Sequence, residues 1–197
     1  MMKKAVFLDR DGTINVEKNY LYRPEEFEFI AGVPEAIALL NRRSYLVIVV
    51  SNQAGVARGY YSEKDVYNLH TYVNRQLENY SAHIDKFYFC PHHPDAGIGK
   101  YKVKCHCRKP ETGMFEQACQ DYSIDKASSW MIGDNRGDIL AGKRFGLKTV
   151  LVKTGYGQAL TVEGFADSNF VADDLPHAVR LILNLENKKI QSIITGE

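Results

Sequence analysis

Short apolar runs, rich in β-branched residues, recur along the chain and are separated by stretches with helical spacing. AVFL over 5–8 predicts a strand. PEAIALLNRR over 34–43 predicts a helix with proline in its first turn and arginines at its end. YLVIVV over 45–50 predicts a second strand, apolar without alternation, as expected when both faces are buried. A helix follows from Ser62 to about residue 80, with Ser62 as its N-cap and Asp65 three residues on. DKFYF over 85–89, SWMI around 128–132 and KTVLV over 148–152 predict three more strands. Between them, 113–122 and 138–145 read as helices. A weak strand near 170–172 and a helix over about 175–186 complete the pattern.

Strand and helix in repeated alternation give an α/β fold. The expectation is a doubly wound, mostly parallel Rossmann-like sheet with helices on both faces. No internal repeat or linker breaks the chain, so residues 1–187 are read as one domain. The last stretch, NKKIQSIITGE, is polar and weakly patterned, and 188–197 are expected to form a disordered tail.

Composition narrows the class of protein. At 197 residues the chain can bury one sizeable core. A net charge of +1 argues against a general nucleic-acid binder, which needs surplus cations to displace counterions. The start, MMKKAVFLDRDGT, has an apolar run too short for a signal-peptide core, and no stretch approaches the roughly 18 apolar residues of a membrane span. A cytoplasmic monomer is expected, with a small-molecule partner and neither nucleic acid nor membrane. In a reducing compartment, clustered cysteines favour metal over disulfide.

In open parallel sheets ligands bind beyond the carboxyl ends of the strands. DRDGT follows the first strand, SNQAG the second, a cysteine-rich stretch ending in RKP the third, and GDNRGD the fourth. Asp9 and Asp11, two residues apart, project to one side. Paired carboxylates can hold a hard cation or divide nucleophilic and proton-transfer work; alone, the same pair also suits an Asx turn. Ser51 and Asn52 offer a hydroxyl and successive N–H groups to an anion. Lys109 is a candidate cation for the same anion, although an isolated lysine is usually solvated. Asp134 sits at a strand end as Asp9 does, and Asp138 also suits a helix start facing the macrodipole.

Cys90, His92, Cys105 and Cys107 form C-x-H-x12-C-x-C. Three sulfurs and one imidazole suit tetrahedral Zn²⁺ in a filled, structural shell. His93 and His106 are competing imidazoles, a disulfide is the rival reading, and Cys119 reads as a small buried hydrophobe. A zinc-binding loop here would order Arg108 and Lys109, the next two residues.

DRDGT over 9–13, Ser51–Asn52, Lys109–Pro110 and GDNRGD over 133–138 resemble the four motifs of the haloacid dehalogenase superfamily of phosphohydrolases. The resemblance covers roughly 3–157. It implies Asp9 as nucleophile, forming an aspartyl-phosphate, and Asp11 as general acid and then base. Ser51 and Lys109 would hold the phosphoryl oxygens. Mg²⁺ would be bound by Asp9, the Asp11 carbonyl and Asp134, with Asn135 and Asp138 as further candidates. CPHHP over 90–94 and CHCRKP over 105–110 resemble the histidinol-phosphatase-like branch, which implies a sugar bisphosphate substrate, a heptose 1,7-bisphosphate losing its 7-phosphate. Glu17, Lys18, Asn19, Tyr20, Ser51, Asn52, Gln53, Ala54, Arg108 and Lys109 would then line the substrate site. Asn19–Tyr20 stands where that branch leads one to expect Gly–Tyr. Histidinol phosphate is the alternative substrate, and a phospho-aspartate receiver module the alternative of another class. About forty residues separate Asp9 from Ser51, and under sixty separate Ser51 from Lys109. The predicted elements fill most of both intervals, so no large cap domain is expected.

Overall fold

Strands β1 (Ala5–Leu8), β2 (Leu46–Asn52), β3 (Lys86–Cys90), β4 (Trp130–Gly133), β5 (Lys148–Val152) and β6 (Phe170–Ala172) pair in parallel, in the order β3-β2-β1-β4-β5-β6. The structure is a computed structural model that describes residues 2–159 and 167–195. The helices are α1 (Val33–Arg42), α2 (Ala54–Ala57), α3 (Glu63–Glu78), α4 (Gly113–Asp121), α5 (Arg136–Phe145) and α6 (Leu175–Thr195). The doubly wound parallel sheet expected from the alternation is present, without a large cap domain among the described residues.

Alternate residues of each strand enter opposite cores, because successive side chains point to opposite faces. Val6 and Leu8 join Val47 and Val49 in a layer with Ile37 and Leu40 of α1, Leu69 and Val73 of α3, and Val179 and Ile182 of α6. Ala5 and Phe7 join Ile48 and Val50 in a second layer with Met114 and Phe115 of α4 and Phe145 of α5. Burial on both faces is why the strands read as continuous apolar runs.

The strand order runs from β1 outward through β2 to β3, returns to β4 on the other side of β1, and continues outward. The reversal between β1 and β4 is a topological switch point, where a crevice opens at the carboxyl ends. Leu8 lies opposite Ile132, and Asp9 N donates to Ile132 O (3.0 Å). The residues just beyond, Asp9 and Asp134, therefore emerge side by side.

Several boundaries differ from the sequence reading. β2 continues through Ser51 and Asn52, which pair with Phe89 and Cys90, so these two residues belong to the strand and not to the loop after it. α5 begins at Arg136, two residues earlier than expected, because Asn135 caps it and Asp138 closes a capping box. The same device with Ser62 and Asp65 starts α3, as its sequence predicts. The last helix does not stop near residue 186 but runs to Thr195. No glycine or proline lies between Pro176 and Gly196, and helical backbone continues over 188–195, most of the stretch read as a disordered tail. Residues 196–197 lie outside the described residues.

Ser129 stitches the start of the central strand: its Oγ accepts from Ala5 N (2.9 Å) and donates to Asp125 O (2.6 Å). Both groups it satisfies are backbone, at a fully buried position. Ser129→Ala should therefore lower unfolding free energy by about 1–3 kcal/mol, the cost of an orphaned buried donor. Urea unfolding of the variant and parent measures this directly.

Candidate functional site

A buried lysine organises the crevice. Lys109 Nζ lies 2.7 Å from Asp138 Oδ1 and 2.9 Å from Asp9 Oδ1, and donates to Val50 O (2.6 Å). Its side chain is 1% exposed. An ammonium this deep needs charged partners, or it would lose its proton. Burial alone would lower its pKa, but the Asp138 and Asp9 carboxylates outweigh that and hold it above the ordinary lysine value. Its backbone is pinned as well. Asn52 Oδ1 accepts from Lys109 N (3.0 Å), and Asn52 Nδ2 donates to Lys109 O (3.1 Å).

Each carboxylate has its own anchor. Asp138 Oδ2 accepts from Asn135 N (3.0 Å) as the closing half of the α5 capping box, leaving Oδ1 for Lys109. Asp138 is thus a helix-start carboxylate, and its second oxygen is engaged by Lys109. Asp134 Oδ2 accepts from Tyr156 N (2.7 Å). Gly12, at φ 78°, backs against it: a Cβ there would sit 2.2 Å from Asp134 Oδ2. Thr154 Oγ1 ties the same turn down by donating to Gly12 O (2.6 Å).

Oxygen atoms of Asp9, Asp134 and Asp138 lie within 4.8 Å of one another. Three carboxylates against one ammonium leave an excess of negative charge. Burial first, and the neighbouring Asp138 and Asp11 after it, push Asp9 up to about 7 against the pull of Lys109. Burial, with Asp9 and Asp138, pushes Asp134 up to about 9. Asp134 Oδ1 is buried without a hydrogen-bond partner. Asp9 Oδ1 is buried with only the Lys109 ammonium beside it, at 2.9 Å. Orphaned hard oxygens with surplus negative charge are what a divalent cation satisfies, and the donor set fits one. Asp11 contributes no carboxylate oxygen to this cluster. Asn135 lines the cavity, but its Oδ1 accepts from Gly137 N (3.0 Å) as the helix cap.

One cavity of about 420 Å³ joins these groups to most of the expected substrate residues. Asp9, Asp11, Glu17, Asn19, Tyr20, Ser51, Asn52, Gln53, Ala54, Arg108, Lys109, Asp134 and Asp138 all line it. Lys18 does not. Its ammonium turns outward to Glu28 (3.0 Å) and donates to Glu26 O (2.8 Å), which corrects its assignment to the substrate site. Asn19 and Tyr20 both take left-handed backbone conformations, at φ 50° and 64°. That explains the glycine expected at position 19; asparagine is among the residues that tolerate the region. Tyr61 and Tyr156 also reach the cavity. The two tyrosines escaped the sequence reading because nothing in their local pattern marks them.

Cys90, His92, Cys105 and Cys107 converge with their donor atoms within 4.8 Å of one another. The sulfurs are 3.1–3.4 Å apart, and His92 Nδ1 is 3.4 Å from Cys107 Sγ. Hydrogen bonding among the thiols splits them, lowering Cys107 through its contacts with Cys90, Cys105 and His92 and raising Cys90, so Cys107 is the first of the pair to ionise. Three sulfurs and an imidazole fit Zn²⁺. His93 Nδ1 instead accepts from Asp95 N and Ala96 N, while His106 faces Glu116 at 3.0 Å. Cys119 is half-buried against the core and is not one of the converging ligands. Arg108 Nη1 donates to His92 O (3.1 Å), so the cluster and the cavity share a wall.

Comparison with known proteins points in one direction. Residues 106–178 match the family described as HAD-hydrolase-like. The chain is 46% identical over 177 residues to the D-glycero-beta-D-manno-heptose-1,7-bisphosphate 7-phosphatase of Haemophilus ducreyi, covering 89% of this chain and 96% of that one. It is 42% identical over 167 residues to the D-glycero-alpha-D-manno-heptose-1,7-bisphosphate 7-phosphatase of Photorhabdus laumondii, covering 84% and 91%. Among solved structures, the D,D-heptose 1,7-bisphosphate phosphatase of B. bronchiseptica, crystallised with magnesium and phosphate, superposes with a TM-score of 0.79 at 30% identity, covering 92% and 98%.

The raised carboxylates give a pH signature in the metal-free protein. A group whose pKa is raised on folding stabilises the fold fully below its unfolded value, here 3.8, and loses that contribution as pH rises through its folded value. For Asp9 the loss runs from about 3.8 to about 7 and for Asp134 from about 3.8 to about 9, and it is nearly complete at the upper value of each window. A cation that pairs with the ionised forms restores it. Added Mg²⁺ should therefore raise Tm more at about pH 8.5 than at about pH 5.5. An increment that is equal at both pH values, or larger at the lower one, counts against a cation at these carboxylates. Thermal melts with and without Mg²⁺ decide it.

Proposed function

The chain belongs to the heptose-bisphosphate phosphatases of the haloacid-dehalogenase-like hydrolases, and from that premise we propose that it removes the 7-phosphate of D-glycero-D-manno-heptose 1,7-bisphosphate. The observation that carries the reading is the meeting of Asp9, Lys109, Asp134 and Asp138 at the switch point, in a cavity shared with Arg108 and the 17–20 segment. The product, heptose 1-phosphate, keeps the group needed for later nucleotide activation. A cytoplasmic reaction is part of this reading, since a reducing compartment keeps clustered cysteines available to a metal.

Asp9 is the nucleophile in this reading. Its carboxylate attacks phosphorus, the bond from phosphorus to the sugar oxygen breaks, and Asp11 gives that oxygen its proton. Asp11, now ionised, takes a proton from water as that water attacks the aspartyl-phosphate. Inorganic phosphate leaves and Asp9 is restored. Lys109, fixed at both backbone and ammonium, neutralises phosphoryl oxygens without having to reorganise. Ser51 Oγ, which accepts from Gln53 Nε2 (2.8 Å), is left with its own proton to donate to the same group. Asp9, Asp134 and the Asp11 carbonyl would hold Mg²⁺, with Asp138 beside them and Asn135 a further candidate, and the ion would supply the charge that lets a carboxylate approach a phosphate. Arg108, at the cavity wall, suits the phosphate that is retained. Glu17, Asn19 and Tyr20 face the sugar.

A phosphate-release assay with Mg²⁺ tests the reading against its alternatives. Turnover should be far greater on heptose 1,7-bisphosphate than on histidinol phosphate, and Asp9→Asn should abolish it while leaving the melting curve near that of the parent. Arg108→Ala should raise KM for the bisphosphate more than for a monophosphate. Preference for histidinol phosphate, or a stable phosphorylated protein without turnover, would point to the rival assignments instead.

Zn²⁺ in the Cys90–His92–Cys105–Cys107 cluster is proposed as structural, because four protein ligands fill its shell. Its effect reaches the chemistry through position, since Lys109 lies two residues beyond Cys107. Cys105→Ser should reduce the zinc content from one per chain toward zero by elemental analysis. It should also lower kcat by about 100-fold, the cost of displacing a catalytic group by about 1 Å.

A further inference from the structure

Arg10 is a residue that the reaction scheme leaves without a role, and its setting is unusual. It stands between the two aspartates of the DRDGT stretch and is wholly buried. A guanidinium is always charged and almost never fully buried without partners. Here every side of it is occupied. Nε and Nη2 donate to Asp11 Oδ1 (3.1 and 2.9 Å), and Nη2 also reaches Asp11 Oδ2 (2.8 Å). Nη2 donates to Leu21 O (2.9 Å) and lies 3.4 Å from Gln53 Oε1. Nη1 is 3.4 Å from His70 Nε2. His70 is kept neutral by burial and then by Arg10 itself, so it can accept from the guanidinium, and its ring stacks on Phe87 at 4.4 Å.

The same network closes around Asp11. Asn15 Nδ2 donates to Oδ1 (3.1 Å) and Gln53 Nε2 to Oδ2 (3.1 Å). Tyr61 OH donates to Gln53 Oε1 (2.8 Å) and holds that amide in place. Both Asp11 oxygens therefore face donors of the fold, and the direction of the carboxylate is set mainly by a residue that does not itself line the cavity. The Leu21 carbonyl ties this arrangement to the end of the 17–20 segment. Gln53 ties it to the end of β2.

We propose that Arg10 is a positioning residue, which aims Asp11 for proton transfer to the leaving oxygen and links that aim to the two segments lining the substrate cavity. The proposal rests on Asp11 being the proton donor, as argued above. A bidentate guanidinium fixes a carboxylate in plane and direction, which a lysine at the same place cannot do. Loss of Arg10 then damages the step in which the sugar oxygen is protonated, while the charges that receive the phosphoryl group stay where they are.

Leaving-group dependence separates this role from a structural one. The rate kcat/KM reports events up to formation of the aspartyl-phosphate, which include protonation of the departing oxygen. It is measured with a series of aryl and alkyl phosphate monoesters of rising leaving-group pKa, for the parent and for Arg10→Lys, His70→Phe and Asp11→Asn. Arg10→Lys keeps the buried charge. His70→Phe keeps the ring stacking while removing the Nη1 partner, and serves if Arg10→Lys fails to fold. Thermal melting and zinc content establish folding.

In the parent, the slope against leaving-group pKa should be shallow, and Asp11→Asn should steepen it. Arg10→Lys should steepen it too, losing about 100-fold on alkyl phosphates and under about 3-fold on p-nitrophenyl phosphate, within the range that general acid catalysis supplies. His70→Phe should move in the same direction by less. A uniform loss across the series in the folded variants, with the parent slope kept while Asp11→Asn steepens, overturns the positioning role. If Asp11→Asn itself keeps the parent slope, the assignment of Asp11 as proton donor fails, and the inference falls with it.

Discussion

The site depends on one buried cation. Lys109 is sealed from solvent with its ammonium between Asp9 and Asp138, and neither carboxylate could be packed so close to the other without it. In a low-dielectric setting an unpaired charge costs several kcal/mol, so the three groups are placed together or not at all. The requirement reaches back through the fold. The Asp138 oxygen that meets Lys109 is free because the other one closes a helix cap. Lys109 itself is held by a two-point amide contact from Asn52, at the end of a neighbouring strand.

Topology explains why residues so far apart in the chain can meet that requirement. The switch between β1 and β4 sets Asp9 beside Asp134, and β2 brings Ser51 and Asn52 to the same edge. Lys109 comes from further out, beyond the outer strand β3 and across a long irregular stretch. No regular element constrains that path near its end. The cysteine–histidine cluster takes over the task, joining Cys90 at the tip of β3 to Cys105 and Cys107 just before the lysine. One metal-sized knot thus does for a loop what hydrogen-bond ladders do for the strands.

Much of this was legible in the residues. The apolar runs located the six strands of the described residues, most plainly the inner four, where burial on both faces leaves few other patterns available. The charged and hydroxyl residues after the strands marked the crevice. What escaped notice has physical reasons. The length of β2 depends on pairing with β3, which local sequence does not report. Asp138 read as a cap or a ligand, and its ion pair with Lys109, through the oxygen the cap leaves over, depends on a residue distant in the chain. Lys18 sits among residues that line the cavity and yet faces Glu28, because side-chain direction in an irregular loop has no period to follow. Arg10 was hidden for another reason: an arginine between two aspartates reads as surface charge until its burial is known.

The left-handed pair at Asn19 and Tyr20 has a consequence of its own. Such backbone angles cost non-glycine residues roughly 1–2 kcal/mol each, and little within the segment compensates. Glu17 accepts from Asn19 N, the Tyr20 ring meets Tyr60 edge-on, and Arg58 lies over that ring. The shape of this rim is thus borrowed from its neighbours, whereas the charged centre below is fixed by the sheet. Substitutions in the rim can redraw the outline of the cavity mouth while leaving the charged centre intact, so the two can diversify along separate lines.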